Sequence, residues 1–439
     1  MTSTPQTQDS SPPTRPTDLR ELFPALHLLR ASGLAIDPRK MFLGGLALLL
    51  IAAADWGFRS LPFAPGHDGV SEPTSFVSHH PIGELFNTPR IDARYFWRDV
   101  SFSFLGSFVE LGEAIFMLTA PIRILVENCW VIFSANQSWS SLAFAWTQLL
   151  WALIVWSFFG GALCRMNALQ FAARRRIGIG AAFRFSRRQL LAFLIGPLLP
   201  LSAVLILRGI CWLLGLLASG IPEIGTLVLG IGWVFVLFCG FLMAMLLLGL
   251  AFGWPLMIAA ISTEDSDGFD GLSRAFGYLY DRPWNAAFLS MLSVLIFTLM
   301  RPLVLLLIIL TISVGAQAVE QGFENGVPSW HFTEQSVVSG ETAARDLSIF
   351  LGHSRPAEWP EGIGNFAVFG WTCIPVLLLL GFGPSFFWSA TTVSYFLLRQ
   401  SDDGTPLDAV VDWPEKVEPE APAESEKKTA TKPASEDEG

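Results

Sequence analysis

Six apolar runs, each long enough to cross a lipid bilayer, constrain the fold of this chain more than any other feature. A transmembrane helix needs about 20 apolar residues, because the hydrocarbon core of a bilayer is about 30 Å thick. The sequence therefore predicts an all-α fold, a polytopic membrane bundle of about six transmembrane helices. The runs cover residues 41–57, 141–163, 190–218, 226–261, 287–316 and 366–398.

The composition agrees with a membrane protein and excludes several other classes. Only 15% of the residues are charged, whereas soluble domains average about 25%. Lys40 is the only lysine before residue 401, so the basic surface of a nucleic-acid-binding protein is absent and membrane lipids are the expected partners. The five cysteines are scattered and show no disulfide framework or zinc spacing. No metal or cofactor is expected.

Two of the apolar runs are too long for one straight span and contain helix-breaking residues. The fourth run is expected to break near Pro255, and its Gly249 and Gly253 form a G-x-x-x-G step suited to close helix contact. The last run covers 33 residues, or about 50 Å as a helix, so a kinked or broken helix is expected there. The residues expected to interrupt it are Gly381, Gly383 and Pro384.

The distribution of arginine predicts how the bundle lies in the membrane. Cytoplasmic loops are rich in Lys and Arg, and seven arginines follow the second run within 24 residues. With six spans, this places both termini in the cytoplasm. The seven are Arg165, Arg174, Arg175, Arg176, Arg184, Arg187 and Arg188.

Three regions are expected along the chain. Residues 1–40 form a cytoplasmic N-tail with a short surface helix, in which Leu22, Leu26 and Leu29 share one face. Residues 41–400 form the transmembrane domain, with external regions at 58–140 and 317–365. Residues 401–439 have 12 acidic residues against 4 lysines and are expected to be a disordered acidic cytoplasmic tail.

Residues 104–133 are apolar but are interrupted by charges and by Pro121. A seventh span here would force either the arginine-rich loop or the N-tail to the outside. We therefore predict an interfacial or re-entrant segment on the external side. Its charged residues are Glu110, Glu113, Arg123 and Glu127.

Two segments that lie 93 residues apart match without a gap. Each runs from the end of one apolar span, through a polar loop, to an arginine within the next span. The match predicts two parallel hairpin repeats, related by a pseudo-axis along the membrane normal. The matching positions are Gly160, Gly178, Ala182, Phe183, Phe185 and Arg208 in the first segment and Gly253, Gly271, Ala275, Phe276, Tyr278 and Arg301 in the second.

Arg208 and Arg301 are the candidate site residues. Inserting an arginine at mid-bilayer costs a free energy of about 2.5–3.5 kcal/mol, so such a residue normally has a binding partner or a function. One interpretation is a cationic pair that binds an anion or a lipid phosphate. The favoured interpretation is structural. In it, each arginine pairs with Glu110, Glu113 or Glu127, or bonds to free carbonyls near Pro200 and Pro302. The first pairing is expected between the external segment and the repeat core.

The loop at 264–270 contains four carboxylates and allows two interpretations. A metal site would need several oxygens in fixed geometry, and the spacing offers no such framework. The favoured interpretation is that Asp267 or Asp270 caps the helix that starts near Gly271. No motif of a known catalytic class is complete, so the sequence predicts a protein that is not an enzyme.

Two groups of residues in the region of the repeat form a recognisable pattern. They are Trp156, Gly160-Gly161-Ala162, Arg165, Ala168, Ala172 and Ala181 to Phe185, and in the second segment Asp267 to Pro283. With these residues the chain resembles, over about 160–310, a group of bacterial multipass membrane proteins without a characterised activity. It is also distantly similar to the membrane domain found beside some glycerophosphodiester phosphodiesterases.

The resemblance implies a location in the bacterial inner membrane. The expected function is a structural or lipid-related role in the envelope. The alternative is a small transporter or permease that holds an anionic substrate or lipid near Arg208 and Arg301. An integral-membrane enzyme acting on lipid ranks third.

Overall fold

A computed structural model describes residues 24–59, 61, 115, 117–134, 137–220, 224–320 and 359–410. This part of the chain contains nine α-helices, one short 3-10 helix and no strand. The 3-10 helix is Pro24–Leu28, and the α-helices are α1 (Leu29–Ala35), α2 (Pro38–Arg59), α3 (Ala120–Phe133), α4 (Trp139–Phe171), α5 (Ile179–Ser219), α6 (Gly225–Glu264), α7 (Gly268–Asp281), α8 (Pro283–Glu320) and α9 (Trp359–Asp403).

Six of these helices are long and apolar enough to cross a membrane, namely α2, α4, α5, α6, α8 and α9. Each contains one of the six apolar runs, so the predicted all-α bundle is confirmed. Helices α5 and α6 have 41 and 40 residues, or about 60 Å at 1.5 Å per residue. They therefore extend beyond the hydrocarbon layer.

Polar contacts show which helix ends lie together. Lys40 at the start of α2 donates to Asn167 near the end of α4, and Gln148 near the start of α4 donates to Asp55 near the end of α2. Arg399 at the end of α9 reaches Glu264 at the end of α6. Arg165 near the end of α4 donates to the carbonyl of Ser262 near the end of α6. Both ends of the described chain therefore lie at one end of the bundle, here called the arginine end. The other end is called the far end.

Helix α4 is the centre of the bundle, packed against α2, α3, α5, α6 and α9. Gly160 and Gly161 let two aromatic rings approach its backbone. A Cβ atom on Gly160 would lie 2.5 Å from the Trp388 ring, and one on Gly161 would lie 2.4 Å from the Phe193 ring. The Gly-Gly pair is therefore required by packing.

Neither over-long run is broken. Helix α6 continues through Pro255, and α9 continues through Pro375 and Pro384, so a break at either place is wrong, whereas a kink in α9 stays a prediction. A helix in a bundle tolerates an internal proline when packing holds the flanking turns. The G-x-x-x-G step does make a close contact, because a Cβ on Gly249 would lie 2.7 Å from the Phe276 ring of α7.

The N-terminal segment packs against the bundle through Leu28 and Ala31, which are fully buried. Leu26 and Leu29, two of the leucines of the predicted surface helix, are exposed. Burial against the bundle and the predicted leucine face therefore involve different sides of this segment. Leu22 lies outside the described residues.

The predicted external segment is described only in its second half. Helix α3 has 14 residues, or about 21 Å, which is too short to cross a bilayer. Pro121 lies in the first turn of this helix. Backbone N–H groups in the first turn have no partner within the helix, so the missing N–H of proline costs no hydrogen bond there. Pro121 therefore marks the start of α3. Glu110 and Glu113 lie outside the described residues.

The first residues of the acidic tail belong to the folded bundle. Helix α9 runs to Asp403, and Leu407 and Val410 pack against the core. The prediction of disorder is therefore wrong for residues 401–410. The rest of the tail lies outside the described part of the chain.

Candidate functional site

One exposed surface of α5 changes from arginine to leucine within a single turn. Arg187, Leu191 and Ile195 are spaced by four residues and therefore lie on one side of the helix, and all three are exposed. An exposed leucine on a membrane helix faces lipid tails, whereas arginine extends toward the headgroups. The change between Arg187 and Leu191 therefore marks the edge of the hydrocarbon layer at the arginine end.

Exposed aromatic residues also lie toward both ends of the bundle. Phe269 and Trp284 are exposed at the arginine end, and Trp139 and Trp212 are exposed at the far end. Tryptophan is enriched at membrane–water interfaces. From Leu191 to Trp212 along α5 the rise is about 31 Å, close to the thickness of the hydrocarbon layer.

The arginines at this edge form a patch. It includes residues before α5 and in its first turns, all exposed. We call it the arginine patch, and its members are Arg174, Arg175, Arg176, Arg184 and Arg187.

Arg208 lies in the second half of α5. It is exposed, and its Nη1 donates to the carbonyl of Phe133 at 2.7 Å. Phe133 ends α3, shortly before α4 begins at the far end. Arg208 therefore binds a free carbonyl at a helix end, which is the carbonyl form of the structural interpretation, although that carbonyl belongs to α3.

The predicted pairing between the external segment and the repeat core is not formed by Glu127. This carboxylate pairs with Arg123, one turn earlier on α3, at 3.6 Å. Burial raises the pKa of Glu127 and lowers that of Arg123 to about 10. The corresponding prediction for Glu110 and Glu113 concerns residues outside the described part of the chain. Arg301 is half-buried on α8, directly before Pro302.

We expect Arg208→Gln to lower the stability of the protein by only about 1 kcal/mol. The variant loses one charged hydrogen bond, and the expected loss is small because Arg208 is exposed. Thermal unfolding of the purified protein in detergent measures this change. A loss of stable expression would show instead that Arg208 is buried and paired in the membrane.

The most connected charged cluster was not among the predicted site residues. Glu264, the last residue of α6, accepts from the Tyr395 hydroxyl at 2.6 Å and from Arg399 at 3.2 Å. Its second oxygen lies 2.5 Å from Arg274 of α7. These four residues are called the Glu264 cluster. They join the ends of α6 and α9 to α7.

A cleft of about 370 Å³ opens beside this cluster, lined by Glu264, Arg274, Arg399 and the chain after α9. Arg399 is only 4% exposed, and it donates to the carbonyls of Pro406 and Ala409. The chain after α9 is therefore held at the cleft by the same guanidinium that binds Glu264.

Further ion pairs surround the cluster. Asp265 accepts from Arg188 and from Gln189 at the start of α5. Asp402 pairs with Arg282. The Tyr278 hydroxyl donates to Asp403, and burial, reinforced by that carboxylate, raises the pKa of Tyr278. The phenol therefore stays protonated and remains a donor at neutral pH.

Lys40 forms a second buried polar site at the arginine end. It is 1% exposed, and its Nζ donates to three neutral oxygens, at distances of 3.1 Å to Leu34 O, 2.7 Å to Asn167 Oδ1 and 2.8 Å to Gln170 Oε1. The three donors of an ammonium group match these three acceptors. Lys40 therefore joins α1, α2 and α4.

The acidic loop acts as a helix cap. Asp267 is the N-cap of α7, and its side chain accepts from the backbone N–H of Asp270 at 2.8 Å. The cap prediction is confirmed for Asp267, although α7 begins at Gly268 and not at Gly271. Within the described residues, no three His, Cys, Asp or Glu side chains converge on a possible metal position.

The sequence contained a weak signal for some of these residues. The sequence predicts that Arg165 belongs to the cytoplasmic loop, but it is 2% exposed within α4, donates to Ser262 O at 3.0 Å and lies over the Phe185 ring. The sequence pattern places Glu264 in a loop, whereas it is the last residue of α6. Both residues lie at the ends of apolar runs, where a charge is as compatible with a buried contact as with solvent.

Comparisons with protein-family models, with curated proteins and with solved structures give no match to this chain.

Proposed function

We propose that this protein is a bacterial inner-membrane protein without enzymatic activity that binds anionic phospholipid headgroups at its arginine end, in a structural or lipid-related role. The observation that supports this proposal is the arginine patch, which lies one turn from the first lipid-facing leucine of α5. A basic segment at this depth attracts anionic lipid by about 1 kcal/mol for each Lys or Arg. The proposal places the arginine end in the cytoplasm.

The interior of the bundle favours a sealed scaffold. The largest buried side chains include Trp156, Trp254 and Trp388, and their rings contact one another at centroid distances of 5.6–6.3 Å. A permease would need a route for its substrate through this region. Arg208, which that alternative requires at the substrate, binds the Phe133 carbonyl instead. No specific observation favours transport.

We expect the double variant Arg184→Gln/Arg187→Gln to bind phosphatidylglycerol about thirty-fold more weakly than the original chain. Removing two arginines from the headgroup level costs about 2 kcal/mol, and 1.4 kcal/mol corresponds to a factor of ten. Native mass spectrometry of the detergent-purified protein, titrated with phosphatidylglycerol and with phosphatidylcholine, measures both affinities. Binding of phosphatidylcholine should not change.

Arg208→Gln is the matched control, since it removes an exposed arginine in the second half of α5. It should leave phosphatidylglycerol binding within about two-fold. If Arg208→Gln reduces binding and the double variant does not, the lipid site lies near Arg208 and the proposal is wrong. Equal affinity of the original chain for both lipids would also contradict it.

We also propose that the chain contains the internal repeat and is related to the bacterial multipass proteins that it resembles. Helices α4 and α6 end at Phe171 and Glu264, which have the same 93-residue offset as the matching segments. In the second copy, Pro283 separates α7 from α8, whereas α5 is continuous. Superposition of α4 and α5 on α6 to α8 tests the repeat, and a difference in depth of more than about 11 Å between Arg208 and Arg301 would contradict it.

A further inference from the structure

We propose that the acidic segment 412–426 of the same chain docks on the arginine patch. The patch then has two alternative occupants, the tail and the lipid headgroups. The docking is independent of the proposed function, whereas competition with lipid rests on it.

The attachment point of the tail supports this docking. Leu407 and Val410 pack against the core, and Arg399 holds the carbonyl of Ala409 at 2.5 Å. Val410 lines the same cleft as Glu264. The segment that follows therefore leaves the bundle at its arginine end.

The patch is directly connected to this point. Asp265, the residue after Glu264, binds Arg188 and Gln189 of α5. Arg184 lies one turn before Arg188 on the same side of the helix. A chain leaving at Val410 therefore begins close to the edge of the patch.

The charges of the two segments are complementary. The segment 412–426 contains six carboxylates and one lysine within 15 residues, and the patch has five exposed arginines. The carboxylates that face α5 from neighbouring elements are engaged, Asp265 with Arg188 and Asp270 with Arg274. The six carboxylates of the segment are Asp412, Glu415, Glu418, Glu420, Glu424 and Glu426.

The length of the segment favours an intramolecular contact. Sixteen residues separate Val410 from Glu426, and a random-coil chain of that length has a root-mean-square span of about 20–24 Å. Tethering over such a distance gives an effective concentration in the millimolar range. Several weak surface ion pairs, each worth little alone, are then sufficient for substantial occupancy at low salt.

Photo-crosslinking in nanodiscs of phosphatidylcholine tests the docking without any anionic lipid. A photoreactive amino acid replaces Ala181, which is exposed in the first turn of α5 and outside the patch. We expect crosslinks to peptides of 412–426 at low salt. Their yield should fall at least five-fold in 0.5 M NaCl, because salt screens exposed charges.

Two full-length variants complete the test. Neutralising the six carboxylates to Asn and Gln should lower the crosslink yield at least five-fold. Neutralising the distal trio Glu436, Asp437 and Glu438 should leave it unchanged. The docking is wrong if the crosslinks persist after the six carboxylates are neutralised. It is also wrong if the crosslinks move to the distal trio or never form.

A lipid titration then separates the two proposals. If both hold, the variant with six neutralised carboxylates binds phosphatidylglycerol several-fold more tightly than the original chain. If the crosslinks form as expected but phosphatidylglycerol does not bind preferentially, the docking stands and the proposed function fails. If lipid binds as expected and the crosslinks are absent, the docking fails alone.

Discussion

Replacing Glu264 with alanine is expected to destabilise the protein by about 3–5 kcal/mol, a large fraction of the stability of a typical domain. The change leaves Arg399, which is 4% exposed, without its only carboxylate partner among the described residues. It also removes the acceptor of the buried Tyr395 hydroxyl and one of the two carboxylates that bind Arg274. Removing one partner of a buried pair is costly, because the other charge remains away from water.

Thermal unfolding of the purified protein in detergent measures this effect, and two variants serve as controls. Glu264→Gln keeps an oxygen acceptor for Tyr395 and should be less harmful than Glu264→Ala. Glu127→Ala removes a carboxylate of a half-exposed pair one turn apart on α3, so it should cost at most about 1 kcal/mol. Similar melting of Glu264→Ala and Glu127→Ala would mean that the cluster does not hold the helix ends together.

The spans could be predicted from the sequence because the length and hydropathy of an apolar run decide whether it can cross a bilayer. The continuity of the long helices could not be predicted from the sequence. Pro255 and Pro384 disrupt helices in general, but in α6 and α9 the surrounding packing keeps the helix intact. This packing depends on neighbours that are distant in sequence.

The surroundings of Arg208 illustrate a second limit. The sequence places this arginine within the apolar run 190–218, where it requires a partner. In the structure Arg208 is exposed and donates to the Phe133 carbonyl of α3. The position of a neighbouring helix end, which the sequence does not contain, therefore decides which partner the arginine binds.

The Glu264 cluster shows a third limit. Glu264 contacts Tyr395 and Arg399, which lie more than 130 residues later. A sequence pattern detects partners within one helix, such as Arg123 and Glu127, because they are four residues apart. It does not detect partners on different helices, so it could not identify the Phe133 carbonyl of α3 as the partner of Arg208.

Replacing Gly381 with alanine is expected to separate α2 from α9 and to destabilise the protein by about 3 kcal/mol or more, at or above the upper end for overpacking. A Cβ atom on Gly381 would lie 1.7 Å from the carbonyl oxygen of Met41 and 2.6 Å from the backbone nitrogen of Gly45. Both are backbone atoms, so no side-chain rotation relieves the clash. The helices must therefore move apart. The hydrogen bonds of buried Lys40 lie beside this crossing, and so does the hydrogen bond from the Ser385 hydroxyl to Ala35 O.

Gly370→Ala is the matched control, because it lies on the same helix and a Cβ there would meet no atom within 4 Å. Alanine is a better helix former than glycine by about 0.8–1.0 kcal/mol, so this control should melt at the same temperature as the original chain or higher. The opposite signs of the two effects distinguish the crossing from a general property of glycine in α9. If Gly381→Ala also melts at or above the original temperature, α2 and α9 do not cross at Gly381. The reason for a glycine within an apolar run would then be flexibility of α9, as its sequence alone suggests, and not the close approach of two backbones.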